Sequence, residues 1–354
     1  MGVNTINVTS TIFGLAIQYD RLDALCNRAF RNFNGKTINI FIDLYTIFKD
    51  LRKQNYLEGN NVDICAGIIN LAGHYRRFFL KNNIYAKIYL INSSNIPQWN
   101  IELCEDYNKK MVHIVSTTLK RTNTLIEYNY DLLDTLTPYL KDVYLIHSTY
   151  ESSVVIYNII KKNKDIGNNT ANLIITKDIY PFQLAGICSN TLIYKVKKYK
   201  GQDISYCVGA GNLYNALLYE NKINYNDYDF YKISPKLFSV LITLNGFKKR
   251  NIKSIYNIKT AKNLIEKAIY GDAILLNDYN SIINWRDIQP KVEPIELKNR
   301  FECLDIITQH YTYINDYESK YKLNNLYDPD GLRSLNEMYF KTLNPIIFDG
   351  LLME

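Results

Sequence analysis

Long apolar runs are missing from this sequence. No stretch approaches the roughly 20 residues that span a bilayer, so no membrane contact is expected. Proline and glycine are scarce, at 8 and 15 residues, which argues against a long flexible linker. The six cysteines (Cys26, Cys65, Cys104, Cys188, Cys207, Cys303) contain no CxxC pair, and the four histidines (His74, His113, His147, His310) are equally scattered. Neither a zinc site nor a disulfide framework is expected, and the thiols read as buried groups in a reducing compartment. The amino terminus is too polar for a signal peptide. Ile6 stands where an acylation signal starting at Gly2 needs Ser or Thr. No GxGxxG, GxxxxGK-Ser/Thr or GxSxG run occurs, so nothing marks a dinucleotide binder, a P-loop protein or an α/β-hydrolase.

What is present is the composition of a folded chain: 47% apolar and 22% charged residues over 354 positions, enough to bury a full core. The net charge of +7 permits nucleic-acid contact without requiring it. Tyrosine is abundant, at 31 residues, and Asn, Ile and Lys are frequent. All four have AT-rich codons, so a phage or other viral source is expected, with the protein in the virion or the host-cell cytoplasm.

Residues 38–44 (INIFIDL) form a short, nearly continuous apolar run, as in a strand covered on both faces. Residues 64–80 have helical spacing at Ile64, Ile68, Leu71 and Tyr75. Strands follow at 85–92 (YAKIYLIN), 143–147 (VYLIH), 173–176 (LIIT) and 192–196 (LIYKV), with a helix at 152–162. Such alternation predicts an α/β fold with a central, mostly parallel sheet and helices on both faces. Helices are expected at 234–244 and 260–269, joined by a basic turn, and the last 85 residues are mixed. The expected organisation is an N-terminal extension (1–36), an α/β domain (37–230), a helical region (231–270) and a C-terminal mixed segment (271–354). Trp285, Tyr311, Tyr313 and Tyr317 in that last segment suit ordinary packing or a protein interface.

In an open parallel sheet the functional crevice lies beyond the carboxyl ends of the strands. Asp43 ends the first strand there, Glu151 follows the VYLIH strand and Asp178 follows LIIT. Three carboxylates at one sheet edge are what Mg²⁺ would use, because it takes oxygen ligands. Acids at strand-to-helix junctions also serve as helix caps and dipole partners.

At these junctions the chain resembles the flap-endonuclease-like (PIN-like) 5′-nuclease superfamily of phages, bacterial polymerase-associated nucleases and flap endonucleases. INIFIDLYTIFK is similar to that family's first strand with its aspartate, and HSTYESSVVIYNII to its Y-E-A-D/E helix start. TKDIYPFQL (176–184) is similar to its S-G-D-x-D-x-x-Q-L run at identical spacing. ISPKLFSVLITLNGFKKRNI (233–252) resembles the segment ending L-x-G-D-x-x-D-N-I. IKTAKNLI (258–265) resembles the G-P-K-T-A-x-x-L-I continuation, which in the family forms the helix-three-turn-helix that grips a duplex backbone. NSSNIPQWNIELCEDYNKKM (92–111) resembles a phage segment carrying an aspartate, a W-R and a Y-K-x-x-R. Together the matches cover residues 38–270, and a chance likeness of an unrelated α/β scaffold is the competing reading.

The resemblance implies about seven acids holding two divalent ions ~4 Å apart around a phosphodiester. The matching positions here read Asp43, Asn92, Glu151, Ser153, Asp178, Tyr180 and Phe247. Only Asp43, Glu151 and Asp178 remain acidic. Arg250 stands where the family has a further aspartate, and its charge opposes a nearby cation. Ile255 and Asn257 replace glycines that let backbone approach phosphate. The resemblance therefore implies a catalytically inactive nuclease fold reused as a structural or nucleic-acid-binding component, without a cofactor. The alternative is a reduced single-metal Mg-dependent 5′-nuclease, using Asp43, Glu151 and Asp178 on DNA or RNA. Lys109, Lys110, Lys120, Arg121, Lys248, Lys249, Arg250 and Lys259 are the candidate contacts to a nucleic-acid backbone. Expected partners are DNA and other viral or replication proteins.

Overall fold

The computed structural model describes residues 37–44, 61–93, 102–104, 133, 134, 137, 140–148, 150–165, 170–176, 178, 180–188, 190–199, 202–208, 238–247, 250–257, 259–261, 263, 264 and 292–307. The expected parallel sheet forms from the apolar runs: β1 (Thr37–Asp43), β2 (Tyr85–Ser93), β3 (Val143–Ser148), β4 (Ala171–Thr176) and β5 (Thr191–Tyr199). A sixth strand, β6 (Gln202–Val208), pairs antiparallel with β5 and was not expected. The order is β3-β2-β1-β4-β5-β6. The chain winds outward from β1 through β2 to β3, then returns to lay β4 on the other side of β1. That reversal puts a topological switch point between β1 and β4, where ligand crevices form in open α/β sheets.

Five parallel strands need cover on both faces, and their alternation supplies two apolar sets. Phe41, Ile91, Ile146, Ile174 and Ile193 join one cluster with helix α2 (Ser152–Asp165), the short α3 (Leu184–Ile187), α4 (Phe238–Asn245) and α5 (Pro294–Leu304). Strand residues of the opposite parity, among them Ile40, Ile42, Leu90 and Ile175, are fully buried as well. Helix α1 (Asn61–Lys81) packs against β2 and buries Cys65, Ile68, Ala72, Tyr75 and Phe79 along one stripe, the spacing of an amphipathic helix. No helix among the described residues is long and apolar enough to cross a membrane.

At the amino ends of β1 and β4, Asn39 Nδ2 donates to Asn172 Oδ1 (3.2 Å) and to Thr170 Oγ1 (2.8 Å). These buried amides help fix the register of the two strands that flank the switch point, because a slipped strand would leave them unsatisfied. Helix α1 carries a pH-sensitive group. Burial, then the neighbouring Arg77 and Lys81, push His74 down to about 4. His74 is thus neutral in the folded chain across a range where the unfolded chain binds a proton. Stability is expected to fall as pH drops from about 6.5 toward 4 and to change little above that window. Thermal melts of His74→Gln should show a smaller drop over the same interval.

Candidate functional site

The carboxyl ends of β1 and β4 meet at one hydroxyl. Thr176 Oγ1 donates to Asp43 Oδ2 (3.0 Å) and accepts from the backbone N–H of Asp178 (3.0 Å). This ties both acids to the switch point, and each is buried, Asp43 to 1% exposure. Glu151 enters from the third side. Its carbonyl accepts the first amides of α2, from Val154 and Val155, and the N–H of Ser152 donates to Ser93 Oγ at the end of β2 (2.9 Å). The helix start is thereby pinned to the sheet edge.

Two of these acids, Glu151 and Asp178, face Arg250. Its Nη2 donates to Glu151 Oε2 at 2.6 Å and lies 4.0 Å from Asp178 Oδ2. The guanidinium carbon sits 5.3 Å from the centre of the Tyr180 ring and 5.9 Å from that of Phe247. Those two rings lie nearly parallel, 6.0 Å apart, and both are buried. A planar cation against aromatic faces, with a carboxylate at its edge, satisfies charge, hydrogen bonding and packing at once.

Local backbone explains how Arg250 comes to point inward. Helix α4 ends at Gly246, whose φ of +75° is the left-handed conformation of a helix C-terminus. The chain then doubles back so tightly that Phe247 and Ile252 pair with each other, and the N–H of Arg250 donates to the Phe247 carbonyl (2.8 Å). A Cβ on Gly246 would stand 2.5 Å from the backbone nitrogen of Ser254. Gly246→Ala is therefore expected to cost the left-handed penalty of about 1–2 kcal/mol and a backbone clash besides. A lower denaturant midpoint with little change in slope would register it.

The loop beyond is closed inward too. The N–H groups of Ile255 and Tyr256 both donate to the Leu244 carbonyl (3.0 Å each), so these amides cap α4. Arg300 Nη1 from α5 donates to the Lys253 carbonyl (2.8 Å). Gln183, in the 3₁₀ turn Tyr180–Gln183, donates to the Leu304 carbonyl (2.8 Å) and accepts from the N–H of Ile306 (3.2 Å). Sequence reasoning gave Gln183 no such part. The only signal was the motif position itself.

The acids expected at this edge, Asp43, Glu151 and Asp178, thus lie around the switch point, with Glu151 and Asp178 directed at Arg250. Arg250 is only 6% exposed, which corrects its expected place on a phosphate-facing surface: its charge is spent on internal carboxylates. Lys259 is exposed, in the first turn of a helical segment capped by Asn257, whose Oδ1 accepts from the N–H of Thr260 (2.9 Å). Lys109, Lys110, Lys120, Arg121, Lys248 and Lys249 lie outside the described residues. Asn92 and Ser153, at positions where the resemblance implies acids, are buried. Asn92 Nδ2 contacts His147 Nδ1 (3.0 Å), whose Nε2 meets Asp134 at 2.8 Å. Asn92 Oδ1 and Ser153 Oγ have no hydrogen-bond partner among the described residues. No group of three or more His, Cys, Asp or Glu side chains among the described residues is placed to hold a metal ion.

No protein-family model matches the sequence, and no curated protein matches it. Solved structures do. The chain is similar to a pseudo-enzyme–product complex of the bacteriophage T5 flap endonuclease with DNA and metal ions, at 12% identity and a TM-score of 0.50, covering 89% of this chain and 100% of that one. It is similar to the same T5 protein co-crystallised with metal ions, at 13% identity and a TM-score of 0.52, covering 89% and 98%. It also matches the T5 5′-exonuclease with bound zinc, at 14% identity and a TM-score of 0.50, covering 86% and 100%. Sheet order, acids at the switch point and these likenesses agree: the chain has the flap-endonuclease-like, PIN-like α/β fold.

Proposed function

We propose that this protein is a nuclease fold in which an internal arginine has taken the place of catalytic metal, and that it serves as a nucleic-acid-binding or structural component rather than cutting. The observation that carries this reading is the Arg250–Glu151 pair at 2.6 Å, flanked by Asp178 and backed by the Tyr180 and Phe247 rings. A guanidinium beside Glu151 and Asp178 supplies positive charge to two of the three remaining carboxylates. It also repels a second cation, by several kcal/mol where solvent is excluded. The rings offer no oxygen ligand, which Mg²⁺ demands. With the guanidinium seated against Glu151 and Asp178, this donor set fits an arginine and does not admit Mg²⁺.

Binding without cutting is supported by the T5 pseudo-enzyme, which is described in complex with DNA. The exposed Lys253 and Lys259 stand on the outer side of the loop that holds Arg250, where phosphate contacts would be sequence-independent and weakened by salt. A viral role and viral or replication partners fit the same reading. The test is to incubate pure protein with 5′-flap and 5′-end DNA in Mg²⁺ or Mn²⁺. The expected result is no product, with binding that falls steeply from 50 to 200 mM salt. Metal-dependent trimming that disappears in Asp178→Asn would instead establish a single-metal nuclease.

A further inference from the structure

Beside the arginine lock lies a pair of thiols from distant parts of the chain. Cys303, at the end of α5, is fully buried. Cys104, in the segment after β2, is half-buried and packs with Leu103 against the cluster that contains Cys303, Tyr180 and Phe247. The two thiols are hydrogen-bonded to each other, and Glu151 is close enough to Cys303 to act on it electrostatically. Cys65 and Cys188 are both buried.

We propose that Cys104 and Cys303 are a redox-sensitive pair that closes into a disulfide and staples the segment after β2 to the carboxyl end of α5. The oxidant is a low-molecular-weight disulfide. The Cys104 sulfur, the more accessible of the two, attacks it as a thiolate and releases one small thiol. Cys303 loses its proton and displaces the second. Two S–H bonds break and one protein S–S bond forms, and both electrons and both protons leave with the two small thiols. The bond closes a loop from residue 104 to residue 303, a long span, so the unfolded chain loses much of its freedom.

The hydrogen bond that the Cys303 S–H donates to Cys104, and then burial, hold Cys303 well above the ordinary thiol range. Closure is therefore slow at neutral pH and faster as pH rises. The staple requires only the two thiols, so it holds whether or not the protein binds nucleic acid.

The test treats the whole protein with glutathione disulfide at alkaline pH, alkylates what remains and maps peptides without reduction. A peptide joining Cys104 to Cys303 is expected, together with a higher melting midpoint that returns to its starting value on reduction. The joined peptide should be lost in Cys104→Ser, whose melting midpoint under reducing conditions should match that of the parent. A glutathione adduct that stays on Cys104 while Cys303 is still alkylated would overturn the proposal. So would an unmodified Cys104, or pairing of either residue with another cysteine.

Discussion

Arg250→Met is expected to lower stability by about 3–5 kcal/mol, because it leaves Glu151 and Asp178 buried without their cation. For a chain of this size that is a drop in melting midpoint on the order of 10 °C. Methionine keeps the apolar stem against Tyr180 and Phe247, so most of the loss is electrostatic. Adding Glu151→Gln and Asp178→Asn to Arg250→Met should recover much of it, since an apolar or neutral replacement of a buried pair is often nearly neutral. Divalent cation sharpens the test. With the arginine gone, Mg²⁺ is expected to raise the midpoint of Arg250→Met in a concentration-dependent way, by up to about 2.7 kcal/mol at a hundredfold excess over its Kd. The parent protein should not respond. Equal responses from the two proteins would mean that Arg250 does not stand in for a metal ion.

The second large effect is expected at Gln183, whose amide satisfies two buried backbone groups, the Leu304 carbonyl and the Ile306 N–H. Gln183→Leu orphans both, at about 1–3 kcal/mol each. Gln183→Glu should be milder on one side only: a carboxylate still accepts from Ile306 but has no proton for Leu304. The loss is local, because these bonds join the end of α5 to the turn carrying Tyr180. Hydrogen exchange is the suitable measurement, with the Ile306 amide losing protection in Gln183→Leu before the core strands do. Unchanged protection at Ile306 would mean that the clamp is not what holds this end of α5.

Both effects concern contacts that span long stretches of sequence, and that limits what sequence reading could reach. The five parallel strands were legible because each is a short, dense apolar run. The acids Asp43, Glu151 and Asp178 were legible as strand-end residues. β6 was missed although a signal existed: only Lys200 and Gly201 separate the paired Tyr199 and Gln202, the two-residue connection of a hairpin. Helix α5 was missed in a segment read as mixed. Pro294 at its first turn and the buried Leu297, Arg300 and Leu304 follow helical spacing. Arg250 was legible as a charge hostile to metal, but not as the partner of Glu151, because 99 residues separate the two and no local rule links them. Tyr180 and Phe247 were legible as rings at motif positions where the resemblance implies acids. Their near-parallel placement behind a guanidinium depends on how three loops converge.

Gly246 carries a further consequence. The turn after α4 needs a residue without a side chain, whatever chemistry stands next to it, since both its φ and the backbone of Ser254 leave no room. Phe247, one position on, is under no such demand and can trade oxygen ligands for an aromatic ring while the turn stays intact. Scaffold and reactivity are thus written in adjacent letters and can be edited separately.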